Sequence, residues 1–362
     1  MSNNTLSRAE LTYSGEVQNI HYGDILTKFG DVVDCSKEEI PFIADKSKLG
    51  NKISYLQNGD IIIADTAEDD AVGKATEILN IQVPVVSGLH TMACRPQFKF
   101  EPRFLGYYIN SACYHNQLYP FMQGVKVTSV SKGNIALTEI RYPANDEQHK
   151  ITSLLALIDA RIEKQRTLIE SLKLYKRGVL QRLFKANITE HKENNIGSLF
   201  TVTRGYVLPV SELREQPNSD YCYPVYSSQT KNEGLMGYYN QYLYEDAITW
   251  TTDGANAGFV RFRKGKFYCT NVCGVLLNDD GFANEYIAER LNSVTKRHVS
   301  YVGNPKLMNN VMAEITIEYP SLEEQKKYSL LISQLDKKIQ YETSVSDSLV
   351  KLKTALLQQM FI

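Results

Sequence analysis

The amino-acid sequence predicts an α+β fold in which two β-rich α/β domains are joined by two long, similar helices packed as an antiparallel coiled coil. Three observations support this prediction: an internal repeat, a heptad pattern of apolar residues inside the repeat, and β-rich segments bounded by turn residues outside it. The chain has 362 residues, whereas single hydrophobic cores usually stop growing near ~250–300 residues, so the length also favours two domains.

The repeat places residue 140 over residue 317, an offset of 177 residues. Of the 46 positions from 140 to 185, 15 are identical in the second copy, and the alignment has no gap. Each copy opens with a Tyr-Pro pair followed by a Glu-Gln pair, Glu147-Gln148 in the first and Glu324-Gln325 in the second. Proline disfavours helix before it and carboxylates favour a helix N-terminus, so a helix should begin here in each copy. The duplication predicts an internal pseudo-two-fold repeat.

Apolar residues inside each copy recur at spacings of three and four, which is typical of a coiled-coil seam. The predicted helix–helix seam consists of Ile151, Leu155, Ile158, Ile162, Ile169, Leu172, Val179, Leu183, Ile332, Leu335, Ile339, Leu349, Leu356 and Met360. A second apolar stripe lies beside the seam and includes Leu154, Leu168, Tyr175, Leu331, Val345 and Leu352.

Neither long helix should be stable alone in water, because helical stability comes mainly from burying an apolar face. The two helices are therefore expected to pack on each other, and a pseudo-two-fold makes the pairing antiparallel. Gln165 and Glu342 occupy equivalent positions in the middle of the two helices. They either form a polar layer within the seam or face a partner or solvent.

The predicted organisation has four parts: a β-rich domain over residues 1–145, a central helix over 146–186, a second β-rich domain over 187–320 and a C-terminal helix over 321–362. Each β-rich domain also contains one shorter helical stretch, over residues 103–114 and 284–294. The polar stretch 185–195 is the best candidate for a linker. Two near-constant helices that alternate with divergent domains indicate a constant scaffold that varies what it displays.

The charge argues against a protein that coats nucleic acid without specificity, because the formal net charge is −1. Each β-rich domain is itself acidic, with 13 basic against 16 acidic side chains in residues 1–145 and 12 against 15 in residues 187–320. A nucleic-acid surface would therefore be a local basic patch, although such runs are often only solvated faces. The candidate DNA-binding residues in these patches are Lys74, Lys126, Lys132, Arg261, Arg263, Lys264, Lys266, Lys296 and Arg297.

The motifs predict neither catalysis nor a metal site. Gly254 and Gly258 are spaced for a hairpin turn and lack the GK[ST] ending of a phosphate-binding loop. Methyltransferase and helicase motifs are missing from the sequence, and the histidines are too isolated to support a zinc site or a hydrolytic triad. Scattered cysteines, the lack of a signal segment and the lack of a ~18–20-residue apolar run predict a cytoplasmic protein without a membrane span.

Taken together, the duplicated helix and the divergent domains resemble the specificity subunit of type I restriction–modification enzymes. The most specific matches are the strand-to-helix junctions at residues 139–143 and 315–320 with their Glu-Gln pairs, the helix ends 180–184 and 357–361, and the segment 131–135. Residues 223–228 and 252–260 also resemble the target-recognition loops of the family. The resemblance covers nearly the whole chain.

The resemblance implies that each β-rich domain is a target-recognition domain that reads one half of a bipartite double-stranded DNA target. The helices would set the separation of the two halves and dock two methyltransferase subunits and, through them, restriction subunits. The chain would then be non-catalytic by itself, with S-adenosylmethionine, ATP and Mg bound by partner subunits and none of them by this chain.

The resemblance also draws attention to two loops in the second domain. Tyr226, Ser228, Gln229 and Lys231 are candidate DNA-binding residues on the first loop, and Asn256 is a candidate on the second. Gln229 would suit adenine, and Lys231 would suit guanine or phosphate. The remaining tyrosines near Tyr226 are expected to belong to the core or to the sheet surface.

One departure and two alternative functions remain open. In the first domain the acidic stretch 65–73 stands where the second has its Gly-x3-Gly loop, and it either accepts hydrogen bonds from cytosine or faces away from DNA. The chain could instead be a structural tether that presents two protein-binding domains, or an enzyme with an unrecognised active site. Binding of a methyltransferase and sequence-specific DNA would distinguish these hypotheses.

Overall fold

The structure, a computed structural model, describes residues 1–68, 71–124, 126–185, 192–228 and 231–361. The chain divides into two compact units. Unit 1 consists of Met1–Arg166 and Ser344–Ile362, and unit 2 consists of Thr167–Thr343. Each unit therefore combines one β-rich domain with a part of each long helix.

The domain of unit 1 contains two four-stranded sheets and one two-stranded sheet. Its strands are β1 (Leu11–Thr12), β2 (Gln18–Ile20), β3 (Val32–Asp34), β4 (Phe42–Ile43), β5 (Ile61–Ala64), β6 (Thr66–Ala67), β7 (Ala75–Leu79), β8 (Val85–Ser87), β9 (Thr91–Cys94) and β10 (Thr128–Ser129). Its short helices are α1 (Tyr22–Thr27), α2 (Phe104–Ile109), α3 (Ala112–His115) and α4 (Lys132–Ile135). The sheets have the orders β1-β4-β2-β8 and β3-β7-β5-β9, and β6 pairs with β10. Helix α2 is buried and contacts β7, and its residues belong to the same hydrophobic cluster as Ile61 and Ile63 of β5.

The domain of unit 2 is built around one larger sheet. Its strands are β11 (Lys192–Asn195), β12 (Thr201–Arg204), β13 (Tyr223–Tyr226), β14 (Leu235–Tyr239), β15 (Tyr244–Thr251), β16 (Val260–Cys269), β17 (Cys273–Leu277) and β18 (Thr316–Tyr319). Its short helices are α6 (Ile196–Leu199), α7 (Glu285–Thr295) and α8 (Asn309–Glu314). The main sheet has the order β12-β17-β15-β16-β13-β14, with β13 parallel to β16, and β11 pairs with β18. Trp250 on β15 and Tyr286 on α7 are buried in the same core.

The two long helices are α5 (Asn145–Lys185) and α9 (Leu322–Met360), and they run antiparallel, as predicted. In unit 1, Ile151 and Leu155 share a core cluster with the end of α9, while Asp159, further along α5, contacts Lys353. In unit 2 the end of α5 packs with the beginning of α9 around Ile332. Residue numbers therefore fall along α9 as they rise along α5 within each unit.

Every residue of the predicted seam is buried or half-buried. Gln165 and Glu342 are also buried, with 3% and 7% of their surface exposed, so neither side chain faces solvent. Most of the second stripe is exposed instead. Among the described residues, no helix combines the length and apolar character needed to cross a bilayer.

An ion pair joins the two helices in each unit, at positions that the repeat relates. Lys353 Nζ lies 2.5 Å from Asp159 Oδ1, and Lys176 Nζ lies 2.7 Å from Asp336 Oδ1. Each lysine also binds a carboxylate of the β-rich domain in the same unit. Lys353 Nζ lies 2.6 Å from Asp31, and Lys176 Nζ lies 2.5 Å from Glu289. These clusters connect the helix pair to the domain in each unit.

The ion clusters keep their lysines charged although they are largely buried. Burial alone would lower the pKa of the Lys353 ammonium, but the charges of Asp31 and Asp159 raise it above its usual value. The same balance raises the pKa of Lys176, where Glu289 and Asp336 are the carboxylate partners.

The glutamine of each Glu-Gln pair has a structural role that both copies share. The side-chain amides of Gln148 and Gln325 donate to the carbonyl groups of Pro143 and Pro320, at 2.9 and 2.8 Å. Gln148 Oε1 accepts from the Glu101 backbone N–H at 3.1 Å, and Gln325 Oε1 accepts from the Asn284 side chain at 2.9 Å. Each glutamine therefore links the beginning of its helix to the neighbouring domain.

The two strand-to-helix junctions differ in spite of their similar sequences. The second junction contains β18, which pairs with β11, but residues 139–142 of the first do not form a strand. There the backbone N–H groups of Glu139 and Arg141 bond to side chains, Gln117 Oε1 at 2.9 Å and the Tyr108 hydroxyl at 3.0 Å. The prediction of a strand at the first junction is therefore wrong.

Two further predictions need adjustment. The helical stretch expected over residues 103–114 is broken between α2 and α3, where the Asn110 side chain bonds both backbone groups of Ala75, at 2.9 and 2.8 Å. Of the expected linker, residues 186–191 lie outside the described residues, and residues 192–195 form β11.

Replacing Leu155 with alanine should lower the free energy of unfolding by about 2–5 kcal/mol, because the buried side chain would leave a cavity. Leu157→Ala is the matched control on the same helix: with 69% of its surface exposed, Leu157 should contribute little when truncated. Chemical denaturation followed by circular dichroism measures both losses. Equal losses for the two variants would contradict the burial of Leu155 in the core of unit 1.

Candidate nucleic-acid interface

A hairpin in unit 2 carries the basic run that the sequence singled out. Strands β15 and β16 pair antiparallel, with Thr249 opposite Arg261 and Ala247 opposite Arg263. In the connecting turn, Gly258 has φ +83°, and a Cβ atom there would lie 2.9 Å from Val299 Cγ2, so a larger residue does not fit. Because side chains alternate along a strand, Arg261 and Arg263 lie on one face of the sheet.

Arg263 is held rigidly by three contacts. Its guanidinium lies 3.7 Å from the centre of the Tyr226 ring, its Nε donates to Thr249 Oγ1 at 3.1 Å, and an Nη atom donates to the Glu233 carbonyl at 2.9 Å. Burial lowers the pKa of this guanidinium from its usual value, but it remains cationic at neutral pH. Arg263 is thus a fixed positive charge in the wall of the site.

Arg261 is more accessible and is paired with an acid. Its Nη1 lies 2.7 Å from Glu233 Oε2, and its guanidinium lies 5.0 Å from the centre of the half-exposed Phe259 ring. Its Nε is buried and has no hydrogen-bond partner within the described part of the chain. A third of the side chain is nevertheless exposed, and a guanidinium carries five N–H donors, so a ligand can reach its outer nitrogen atoms.

These side chains line a cavity of about 190 Å³ on the surface of unit 2. Its walls include Asn256, Phe259, Arg261, Arg263, Thr249 and Glu233. Two guanidinium groups against one carboxylate make the cavity locally positive although the domain is acidic overall. Arginine, asparagine and threonine side chains can contact base edges or phosphates, so the cavity has the chemistry of a DNA-reading site.

The structure brings together only some of the candidates in unit 2. Asn256, Arg261 and Arg263 line the cavity and Tyr226 supports Arg263, while Ser228 is half-buried beyond β13. Lys264, Lys266, Lys296 and Arg297 are exposed and do not line it; Lys266 Nζ lies 4.5 Å from the centre of the Tyr242 ring. Gln229 lies outside the described residues, and of Lys231 only the backbone is described.

The candidates of unit 1 do not converge on one site. Lys74 is half-buried, its Nζ donates to the Leu26 carbonyl at 3.1 Å, and burial lowers its pKa, so it serves an internal contact. Lys126 and Lys132 are exposed, and Lys132 begins α4. In the acidic stretch, Asp65 lies 3.3 Å from His90 Nδ1, and residues 69 and 70 lie outside the described residues.

The buried thiols pack into the core. Cys35 and Cys273 are buried, and burial raises the pKa of each thiol to about 11, which keeps it protonated at neutral pH. Within the described ranges, no group of three or more His, Cys, Asp or Glu side chains is arranged to hold a metal ion.

Sequence reasoning missed Glu233, Thr249 and Phe259 as parts of the cavity. Glu233 and Arg261 are far apart in the chain; Glu233 lies in the turn that follows β13, and β13 pairs in parallel with β16, the strand that carries Arg261. The available signal was weak: the segment Asn232-Glu233-Gly234 is typical of a tight turn, but a turn alone does not indicate its neighbour.

Comparison with known proteins places these features in a family. The chain matches the family described as the type I restriction modification DNA specificity domain over residues 10–174 and again over residues 189–350. It is 34% identical over 162 residues to a protein of Mycoplasma pneumoniae named as a type I specificity subunit, S.MpnORF285P, covering 44% of this chain and 52% of that one. A second such protein of that organism, S.MpnORF507P, is 40% identical over 113 residues, which is 30% of this chain and 31% of that one. The chain thus spans about half or less of these relatives' length.

A solved structure also resembles the whole chain in its fold. The S subunit of a type I restriction–modification system from M. genitalium superposes with a TM-score of 0.61 at 16% identity, covering 100% of this chain and 93% of that one.

Replacing Arg263 with lysine should lower the free energy of unfolding of unit 2 by about 1–2 kcal/mol, because lysine cannot stack flat on Tyr226 or keep both hydrogen bonds. Trp250, the single tryptophan, is buried in unit 2, so its fluorescence during denaturation reports this unit. Lys264→Gln on the next, exposed position is the control and should change little. An unchanged stability for Arg263→Lys would show that the arginine does not support the sheet.

Proposed function

We propose that this chain, which belongs to the type I restriction–modification DNA specificity family, reads a bipartite double-stranded DNA target, one half through each β-rich domain. The observation that carries the proposal is the duplication itself: 15 of the 46 positions from 140 to 185 are identical in the second copy, while the domains diverge. A protein that reads two different half-sites at a constant separation needs that combination of constant helices and variable surfaces.

The charge distribution fits recognition at selected positions. Base-edge contacts need a few well-placed donors and acceptors, whereas non-specific binding needs many cations along the DNA backbone. The cavity around Arg261 and Arg263 offers such donors on an otherwise acidic domain. Partner subunits would supply the remaining phosphate contacts.

The proposed complex assigns catalysis to other chains. This chain would dock two methyltransferase subunits and, through them, restriction subunits, and would itself be non-catalytic. S-adenosylmethionine, ATP and Mg would be bound by those partners, and the complex would act on DNA in the cytoplasm.

Exposed apolar residues on the long helices support partner docking. Both copies of the repeat leave the same second stripe uncovered: Leu154, Leu168, Tyr175, Leu331 and Leu352 are exposed, together with Leu157, Leu174, Leu330, Tyr341 and Val350 nearby. Apolar side chains in contiguous exposed rows mark protein-interaction surfaces. Because each unit carries part of this stripe, two equivalent partners would find equivalent surfaces.

Lengthening both helices by one heptad tests the DNA-reading proposal. Seven residues, inserted after Arg166 and after Thr343, add ~10 Å at ~1.5 Å per residue, or about three base pairs of DNA, and keep the seam in register. The spacing between the target halves should grow by about that amount, while the half-site sequences stay the same. Methylation mapping of host DNA, with and without the altered chain, gives both results.

An unchanged spacing would contradict the role of the helices, and a methylation pattern that does not depend on this chain would contradict the whole proposal. A heptad inserted in only one helix is the control, because it shifts the seam out of register and should abolish methylation.

Replacing Leu154 and Leu331 together by glutamate should prevent a methyltransferase subunit from co-purifying with the chain, since charge would enter an apolar contact. Leu137→Glu, also exposed but outside the helices, is the control and should leave co-purification intact. Circular dichroism should be unchanged for both. Full retention of the partner by the double variant would contradict docking on this stripe, and a wild-type chain that captures no methyltransferase would favour the tether.

A further inference from the structure

A strained turn projects Glu233 into the basic cavity of unit 2. Asn232, Glu233 and Gly234 have φ of +48°, +56° and +90°, so three consecutive residues adopt the left-handed conformation. Asparagine and glycine tolerate this region, but glutamate does so at a cost. Strain of this kind persists where the surroundings over-determine it and is concentrated at functional sites.

In this turn, Glu233 contacts two arginines, one through its side chain and one through its backbone. The Glu233 carboxylate pairs with Arg261 at 2.7 Å, and the Glu233 carbonyl accepts from Arg263 at 2.9 Å. Arg263 is anchored by Tyr226 and Thr249, whereas Arg261 depends on Glu233 for its ionic partner. The side chains of Glu233 and Arg261 are 46% and 33% exposed, so an incoming ligand can reach the pair.

We infer that Glu233 is an internal substitute for the DNA acceptor that Arg261 binds, and therefore a specificity-determining residue of this domain. The acceptor is an anionic or carbonyl oxygen of DNA, from a phosphate or from a guanine edge. This inference rests on the proposed function, because it needs DNA to approach the cavity.

The effect of Glu233 is to lower the affinity of the domain for DNA that lacks the target sequence. An unpaired arginine in an exposed cavity would attract any phosphate, whereas a paired one binds only DNA that offers a well-placed replacement for the carboxylate. Specificity is a difference of affinities, so weakening every wrong complex raises it even if the right complex gains nothing. The dispensable partner is the exposed carboxylate of Glu233, because Arg263 holds the backbone of the turn in place.

The test compares Glu233→Gln with wild type in the complex with the methyltransferase. The probes are a labelled duplex that carries the target found by methylation mapping and a duplex of scrambled sequence. Affinity for the scrambled duplex should rise about two- to fivefold, the range that exposed ion pairs span, while affinity for the target changes less. The salt dependence for the scrambled duplex should steepen by about one phosphate contact.

A second variant separates the carboxylate from the strain of the turn. Glu233→Gly also removes the carboxylate but suits a positive φ, so it should fold at least as well and give the same DNA phenotype. Glu323→Gln is the matched control, since Glu323 is exposed, pairs with Lys327 at 2.8 Å and does not line the cavity. It removes one charge and one ion pair without freeing Arg261.

The Arg261→Gln background shows whether Glu233 acts through Arg261 and identifies the source of the acceptor. The gain from Glu233→Gln should disappear in that background. If the acceptor is a base, Arg261→Gln alone should reduce sequence specificity at one position of the target. If the acceptor is a phosphate, Arg261→Gln should lower the affinity for all duplexes equally and reduce the dependence of binding on salt.

A gain no larger than that of Glu323→Gln, or a gain that persists in the Arg261→Gln background, would overturn the inference. If wild type discriminates target from scrambled DNA and the Glu233 variants discriminate equally well, the inference fails and the proposed function stands. If wild type itself shows no discrimination, the proposed function fails as well.

Discussion

The burial of one apolar stripe along each of two long helices is the constraint on which the rest of the structure depends. Helices α5 and α9, of 41 and 39 residues, have too little stability of their own to persist in water, so each must cover its stripe. In each unit, a part of α5 and a part of α9 share one hydrophobic cluster. Polar positions interrupt the seam where the repeat places them, at Gln165 and Glu342 and at the lysine–aspartate pairs.

The attachment of two divergent domains to such similar helices follows from three repeated contacts. The helix copies supply a lysine, a glutamine and a phenylalanine, and each domain supplies the matching group. Lys176 binds Glu289, and Lys353 binds Asp31. Gln325 accepts a hydrogen bond from the Asn284 side chain, and Gln148 accepts one from the Glu101 backbone N–H. Phe184 packs on Tyr286 and Phe361 on Phe104, each with ring centres 5.7 Å apart. A domain can therefore change most of its sequence and still dock, provided that it keeps an acceptor, a donor and an aromatic ring in place.

Arginine placement in unit 2 combines rigidity with access. Arg263 is fixed by stacking and hydrogen bonds, whereas Arg261, two residues away on the same strand face, is one-third exposed and can be reached by a ligand. The cavity is positive although its domain is acidic, because local geometry decides the potential that a ligand meets at short range.

The sequence by itself determined the repeat, the helix starts and the buried side of each long helix, because these depend on local spacing: proline, carboxylates and a three-four apolar period act within a few residues. It also indicated the basic strand that carries Arg261 and Arg263. Only the tertiary structure decided that Lys74 is used internally, that residues 139–142 bond to side chains in place of forming a strand, and that Glu233 faces Arg261. Those outcomes depend on which distant segments meet across a sheet, and a pairing between residues far apart in the chain leaves no periodic trace in the sequence.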